Sequence, residues 1–149
     1  MADEVELSVQ GEVALIQLRR PSHGNALRGP MFDTIRKLGL KLADAPPRYV
    51  VLAGEGSDFC AGLDADPADP LYQSFEPMIR SRDAHRAQEL VSRVRSAFDT
   101  LGRLPCPVIA AIEGRCHGPG LELALVADLR IGSSAATYRL ADGRAGLLT

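Results

Sequence analysis

The chain reads as an α/β protein on three observations. A β-hairpin opens it, short apolar strands then alternate with stretches of helical periodicity, and glycine-rich turns follow two of those strands. Strands alternating with helices assemble with mostly right-handed crossovers.

Val5, Leu7 and Val9 alternate with polar residues, Gln10-Gly11 turns the chain, and Val13 to Leu18 forms the second strand of the hairpin. Arg19 to Gly29 is a loop holding Pro21, Gly24 and Asn25. Pro30 suits the first position of a helix whose apolar residues include Met31, Ile35, Leu38 and Leu42, and Ala45-Pro46-Pro47 ends it. Tyr49 to Ala53 is a short buried strand, Gly54 to Asp58 is the loop after it, and Phe59 to Asp64 makes a glycine-containing turn. Asp66 to Pro77 is polar, proline-bearing and expected to be irregular. From Asp83 to Leu101, the spacing of Ala87, Leu90, Val91, Val94, Ala97, Phe98 and Leu101 predicts an amphipathic helix.

Pro107 to Ile112 reads as a further buried strand, and the stretch Gly114-Arg115-Cys116-His117-Gly118-Pro119-Gly120 turns from it into a short helix over Leu121 to Val126. The first N–H groups of a helix lack partners within it, and glycines let a ligand approach them. Glu122 sits in that first turn, so an oxyanion site with an acid or base beside it is expected. Leu129-Arg130-Ile131 and Thr137 to Leu140 are the last two strands.

With 149 residues and 46% hydrophobic content, the chain fits one globular domain, residues 1–149. A net charge of −2 offers no case for nucleic acid or an anionic membrane surface, and no apolar run approaches a membrane span. The acidic N-terminus has no apolar signal core, and Cys60, Cys106 and Cys116 lack metal-type pairing. Reduced thiols and a soluble, cytoplasmic location are the expectation.

Three blocks together resemble the crotonase family, also called enoyl-CoA hydratase/isomerase. Arg20-Pro21 with Asn25-Ala26-Leu27 is similar to its R-P…N-A-L segment. Val50 to Gly54, followed by Phe59-Cys60-Ala61-Gly62-Leu63-Asp64, resembles its V-V-L-T-G…F-S-A-G-A-D block. Pro107 to Ile131 resembles P-V-I-A-A-V-x-G-x-x-x-G-G-G-x-E-L-A-L-x-x-D-I-R-I. The resemblance implies a ClpP/crotonase-like spiral of ββα units that takes an acyl-coenzyme A thioester, with no cofactor beyond the coenzyme A of the substrate, in fatty-acid-type metabolism. Carried over by position, the oxyanion donors are the N–H groups of Leu63 and of position 119. Ala61, Gly62, Asp64 and Gly118 line the substrate, and Glu122 and Asp142 correspond to the hydratase carboxylates. Family members assemble as trimers or hexamers, so a homo-oligomer is expected.

This sequence departs from the family in three places. Pro119 has no N–H, which deletes one expected donor and leaves the Gly120 N–H or His117 as substitutes. Asp142 stands where hydratases carry glutamate and is one methylene shorter. Glu122 alone suits proton transfer, as in a double-bond isomerase, better than paired-carboxylate water addition. The sequence stops at Thr149, where family members continue into the rest of the spiral and a C-terminal helical region, so a fragment, or a member whose open faces need a partner, is expected.

Other signals lead elsewhere. Gly54-Glu55-Gly56 and Gly118-Pro119-Gly120 lack the third glycine of a dinucleotide fingerprint, and no G-x-S-x-G turn supports a serine hydrolase. Asp64, Asp66 and Asp69 read as solvated loop acids rather than a cation site. Cys60 and Cys116 read as small buried filler. Arg20 and Arg28 lie near the segment that, in the resembling family, runs close to coenzyme A phosphates, or are plain surface arginines. The function expected is an acyl-CoA-processing hydratase or isomerase working through an enolate. The alternative is a catalytically silent acyl-CoA-binding or interaction protein on the same fold.

Overall fold

The computed structural model describes residues 4–81 and 84–140. Strand β1 (Val5–Gln10) pairs antiparallel with β2 (Val13–Leu18), and β2 pairs in parallel with β3 (Tyr49–Gly54). β3 in turn pairs in parallel with β4 (Val108–Ile112). Helix α1 (Gly29–Asp44) makes the first crossover, and α2 (Pro70–Ser81) and α3 (Ala84–Gly102) make the second. β5 (Arg115–His117) leaves the sheet and leads into α4 (Pro119–Leu125). β6 (Leu129–Gly132) returns beside β4 and closes the order β1-β2-β3-β4-β6. β7 (Thr137–Arg139) pairs in parallel with β5 as a second, two-stranded sheet.

The alternation of the central strands decides where the core lies, because successive side chains point to opposite faces. Ala14, Ile16 and Leu18, Val50 and Leu52, and Val108, Ala110 and Ile112 are all buried, while Leu15, Val51 and Ile109 between them are only half-buried. Met31, Phe32 and Ile35 of α1 and Ala97, Phe98 and Leu101 of α3 complete that core. Phe32 and Phe98 pack with ring centroids 5.7 Å apart. Gly39 of α1 lies against Thr100 of α3, which lets the two helices cross closely.

Two elements differ from the sequence expectation. The segment expected to be irregular carries α2. Pro70 opens that helix, where a missing N–H costs nothing, and the helix runs on through Pro77. Asp69, read as a solvated acid, is buried at 4% exposure. Its Oδ1 accepts from the N–H groups of Leu71 at 2.9 Å and Tyr72 at 3.3 Å, and the carboxylate also accepts from Gly29 at the start of α1. One carboxylate thus caps two helices. The second difference is β5, three residues of strand inside what reads as a continuous glycine turn.

Candidate active site

Two loop-to-helix corners lie side by side. The first follows β3. Asn25, buried and in the left-handed region at φ 56°, donates from Nδ2 to the carbonyls of Glu55 at 2.8 Å and Asp58 at 2.7 Å. Its Oδ1 accepts from the Arg20 N–H at 2.8 Å, so one amide ties the loop after β2 to the loop after β3. Asp58 then accepts from the Arg115 backbone N–H, Nε and Nη2, all within 2.9 Å, and these bonds hold its carboxyl down at about 2. Cys60 pairs with Cys116 across a parallel bridge, in which the Cys60 N–H donates to Arg115 and its carbonyl accepts from His117.

Beyond Cys60 the chain turns at Gly62, whose φ of 124° favours glycine, and bridges to Leu27. The Leu27 N–H donates to the Gly62 carbonyl at 2.8 Å, and the Asp64 N–H donates to the Leu27 carbonyl at 2.7 Å. In a parallel bridge the residue between those two bonds turns its own N–H the other way. Accordingly, the Leu63 N–H has no acceptor among the described residues. The Gly62 carbonyl also accepts from Cys60 Sγ at 3.6 Å. Burial pushes the Cys60 thiol up to about 12 and Cys116 up to about 11, so both keep their protons.

The second corner is Gly118-Pro119-Gly120. Gly118 adopts φ 49° and ψ −124°, and its carbonyl accepts from the N–H groups of Leu121 at 2.9 Å and Glu122 at 3.1 Å. Pro119 opens α4 without an N–H, and the Gly120 N–H finds no acceptor among the described residues. Gly120 is buried against Cys60, and Gly62 faces the His117 carbonyl, so the corners touch at two points. Glu122, in the first turn of α4, takes no hydrogen bond from any described residue. Burial raises its carboxyl above the usual glutamate value, against a smaller opposing pull from Arg95 on α3. The His117 ring lies 3.1 Å from Thr137 Oγ1, and burial, with Arg139 and Arg115 nearby, lowers its pKa. It is not oriented by a carboxylate.

The structure therefore brings Ala61, Gly62, Leu63, Gly118, Pro119, Gly120 and Glu122 to neighbouring turns. Arg20 Nη2 holds Asp64 Oδ2 at 2.7 Å. Arg20 Nε lies 3.2 Å from Glu4 Oε1, and Arg28 Nε pairs with Glu4 Oε2 at 2.7 Å. Asp142 lies outside the described residues. Sequence reading missed Asn25, Asp58 and Arg115 as the framework, and Arg95 as the charge near Glu122. The R-P…N-A-L block was the one signal pointing to Asn25. No group of described residues could hold a metal ion, and no described helix is long and apolar enough to cross a membrane.

The protein-family model described as Enoyl-CoA hydratase/isomerase matches residues 8–149. The chain is similar to the probable enoyl-CoA hydratase echA12 of Mycobacterium leprae, 40% identical over 137 residues that cover 91% of this chain and 45% of that protein. It is also similar to the human mitochondrial Delta(3,5)-Delta(2,4)-dienoyl-CoA isomerase, 31% identical over 142 residues covering 94% of this chain and 43% of that one. An enoyl-CoA hydratase/carnithine racemase structure from Magnetospirillum magneticum superposes with a TM-score of 0.84 at 29% identity, covering 100% of this chain and 53% of that one. A putative enoyl-CoA hydratase from Thermobifida fusca, solved with acetoacetyl-CoA, gives 0.81 at 30% identity, covering 97% and 56%. The chain thus spans about half the length of the proteins it matches, with a crotonase-like fold. By sequence match over nearly all of its residues, the chain belongs to the enoyl-CoA hydratase/isomerase family.

Proposed function

We propose that this chain binds an acyl-CoA thioester and stabilises its enolate. The Leu63 and Gly120 N–H groups would hold the carbonyl oxygen, and Glu122 would move a proton at the neighbouring carbon. One observation carries the reading. Two N–H groups on touching corners lack acceptors among the described residues, and a carboxylate with a raised pKa stands two residues beyond the second. Donors aimed at charge that develops in the transition state lower the barrier more than they stabilise the substrate. Glu122 takes the α-proton as the C–H electrons move into the enolate, and return of that proton to the γ-carbon shifts the double bond. A raised carboxyl pKa brings the base closer to working pH. The dienoyl-CoA isomerase among the relatives and the acetoacetyl-CoA bound to the Thermobifida fusca protein support this substrate class.

A specific observation favours a second reading, that of an acyl-CoA binder without turnover. Pro119 removes the donor that the family resemblance places there, and losing one such donor costs about a hundred- to a thousandfold in rate. The test is spectroscopic. Loss of the enoyl-thioester absorbance from crotonyl-CoA, or its gain from a 3-enoyl-CoA, should be seen with the wild-type chain and should vanish with Glu122→Gln. Thermal stabilisation by acyl-CoA without either change would establish the binder. Turnover that rises in Pro119→Gly would assign the defect to the missing N–H.

The same reading includes a cytoplasmic protein that self-associates. Leu125, Leu129, Ile131 and Tyr138 are each more than half exposed on α4, β6 and β7, an apolar run that favours burial against another chain. A monomeric mass in sedimentation would remove this part of the reading.

A further inference from the structure

The Leu63 donor is held by contacts that lead back to Arg20. The Arg20 side chain is only 10% exposed, and its guanidinium reaches three groups. Nη1 donates to the Ala26 carbonyl at 2.7 Å, Nη2 lies 2.7 Å from Asp64 Oδ2, and Nε lies 3.2 Å from Glu4 Oε1. Ala26 directly precedes Leu27, and Asp64 directly follows Leu63. The fork therefore grips both segments next to the bridge in which Leu27 binds the Gly62 carbonyl and the Asp64 N–H. While that register holds, the Leu63 N–H faces away from Leu27. If the register slips, the N–H turns with the peptide plane.

We propose that Arg20 and Asp64 form a positioning pair that fixes the direction of the Leu63 N–H. Its catalytic meaning rests on the reading of Leu63 as an oxyanion donor. Direction matters because a hydrogen bond weakens steeply once its angle falls below roughly 120°, and a misplacement of about an ångström can cost on the order of a hundredfold in rate. An ordinary ion pair would need only charge. This pair needs the planar fork, because a lysine ammonium is a point charge on a flexible stem and cannot hold Ala26 and Asp64 at fixed spacing. The Cys60 thiol also reaches the Gly62 carbonyl of the same peptide, at 3.6 Å.

The test uses the full chain labelled with ¹⁵N. In the wild type, the Gly62 and Leu63 amides give sharp signals without millisecond exchange. In Arg20→Lys and in Asp64→Asn, exchange broadening appears at Gly62 and Leu63 and is absent at Gly120. Arg28→Lys, which alters another arginine on the same Glu4, leaves both amides sharp. A merely structural pair would lower stability without placing the exchange at Leu63. A Leu63 amide as rigid in Arg20→Lys as in the wild type overturns the proposal, and Asp64→Asn decides it should Arg20→Lys fail to fold.

A second arm uses acetoacetyl-CoA as the probe and reads the infrared band of its thioester carbonyl. Binding to the wild type lowers that band, and Arg20→Lys returns it toward the free value while affinity falls less. A band that stays low in Arg20→Lys overturns the pair. A wild-type band that never moves on binding overturns the donor reading of Leu63 itself.

Discussion

Gly120 lies against Cys60 with no room for a side chain. A Cβ on Gly120 would meet Cys60 Cβ at 2.5 Å and Sγ at 2.7 Å. This contact seats the second corner on the first. Gly120→Ala is expected to destabilise the chain by about 1–3 kcal/mol, the usual range for overpacking, and to weaken acyl-CoA binding. Cys60→Ala should restore part of both losses, since residues in contact do not behave additively. Urea denaturation of the two single variants and the double variant measures the coupling.

The carboxyl of Glu122 should show itself in the pH dependence of stability. Burial raises its folded pKa, so the folded chain holds this proton more tightly than the unfolded one. Stability from this group is present below the ordinary glutamate pKa and is lost as pH rises through the folded value. Glu122→Gln removes that loss. The variant should be at least as stable as the wild type at pH 7, and their difference should shrink toward pH 4. If Glu122 is the proton carrier, turnover falls by about a hundred- to ten-thousandfold in the same variant. Denaturation curves at the two pH values, beside the enoyl-thioester assay, separate the effects.

Asp58 behaves in the opposite sense. Hydrogen bonds from Arg115 hold its carboxyl at about 2, so its contribution is present above the ordinary aspartate pKa and fades as pH falls toward 2. Asp58→Asn should cost on the order of 1 kcal/mol at pH 7, a figure kept low because Arg115 is half exposed. The gap from wild type should close between pH 4 and pH 2. Denaturant midpoints across that window supply the check.

Asn25 carries more than its size suggests. Asn25→Ala would leave the Glu55 and Asp58 carbonyls and the Arg20 N–H without their partner, and would place alanine at a positive φ. The expected loss is about 2–4 kcal/mol, from unsatisfied buried groups and backbone strain together. Because Arg20 is tethered through Asn25, exchange at Leu63 should rise as well. Thermal unfolding and amide relaxation of this variant test the two effects.

Local pattern made most of the fold legible. The alternation of Val13 to Leu18 and of Tyr49 to Ala53, the helical spacing from Met31 to Leu42, and the proline and glycine stops are short-range, and their physics acts within a few residues. The same sequence marked Ala61-Gly62-Leu63 and Gly118-Pro119-Gly120-Leu121-Glu122 as turns with chemistry beside them, and showed that Pro119 carries no donor. Local pattern misled at Asp66 to Pro77, where three prolines outweighed a helix, because the cap that secures α2 comes from Asp69 packed against Gly29, forty residues earlier.

Only tertiary structure decided which N–H groups remain without an acceptor among the described residues, that Gly120 rests on Cys60, that Arg20 pairs with Asp64, and that Glu122 is buried enough for its pKa to rise. The physical reason is that periodicity and turn chemistry are properties of neighbouring residues. Hydrogen-bond partners and desolvation depend on which distant segments the parallel crossovers bring together.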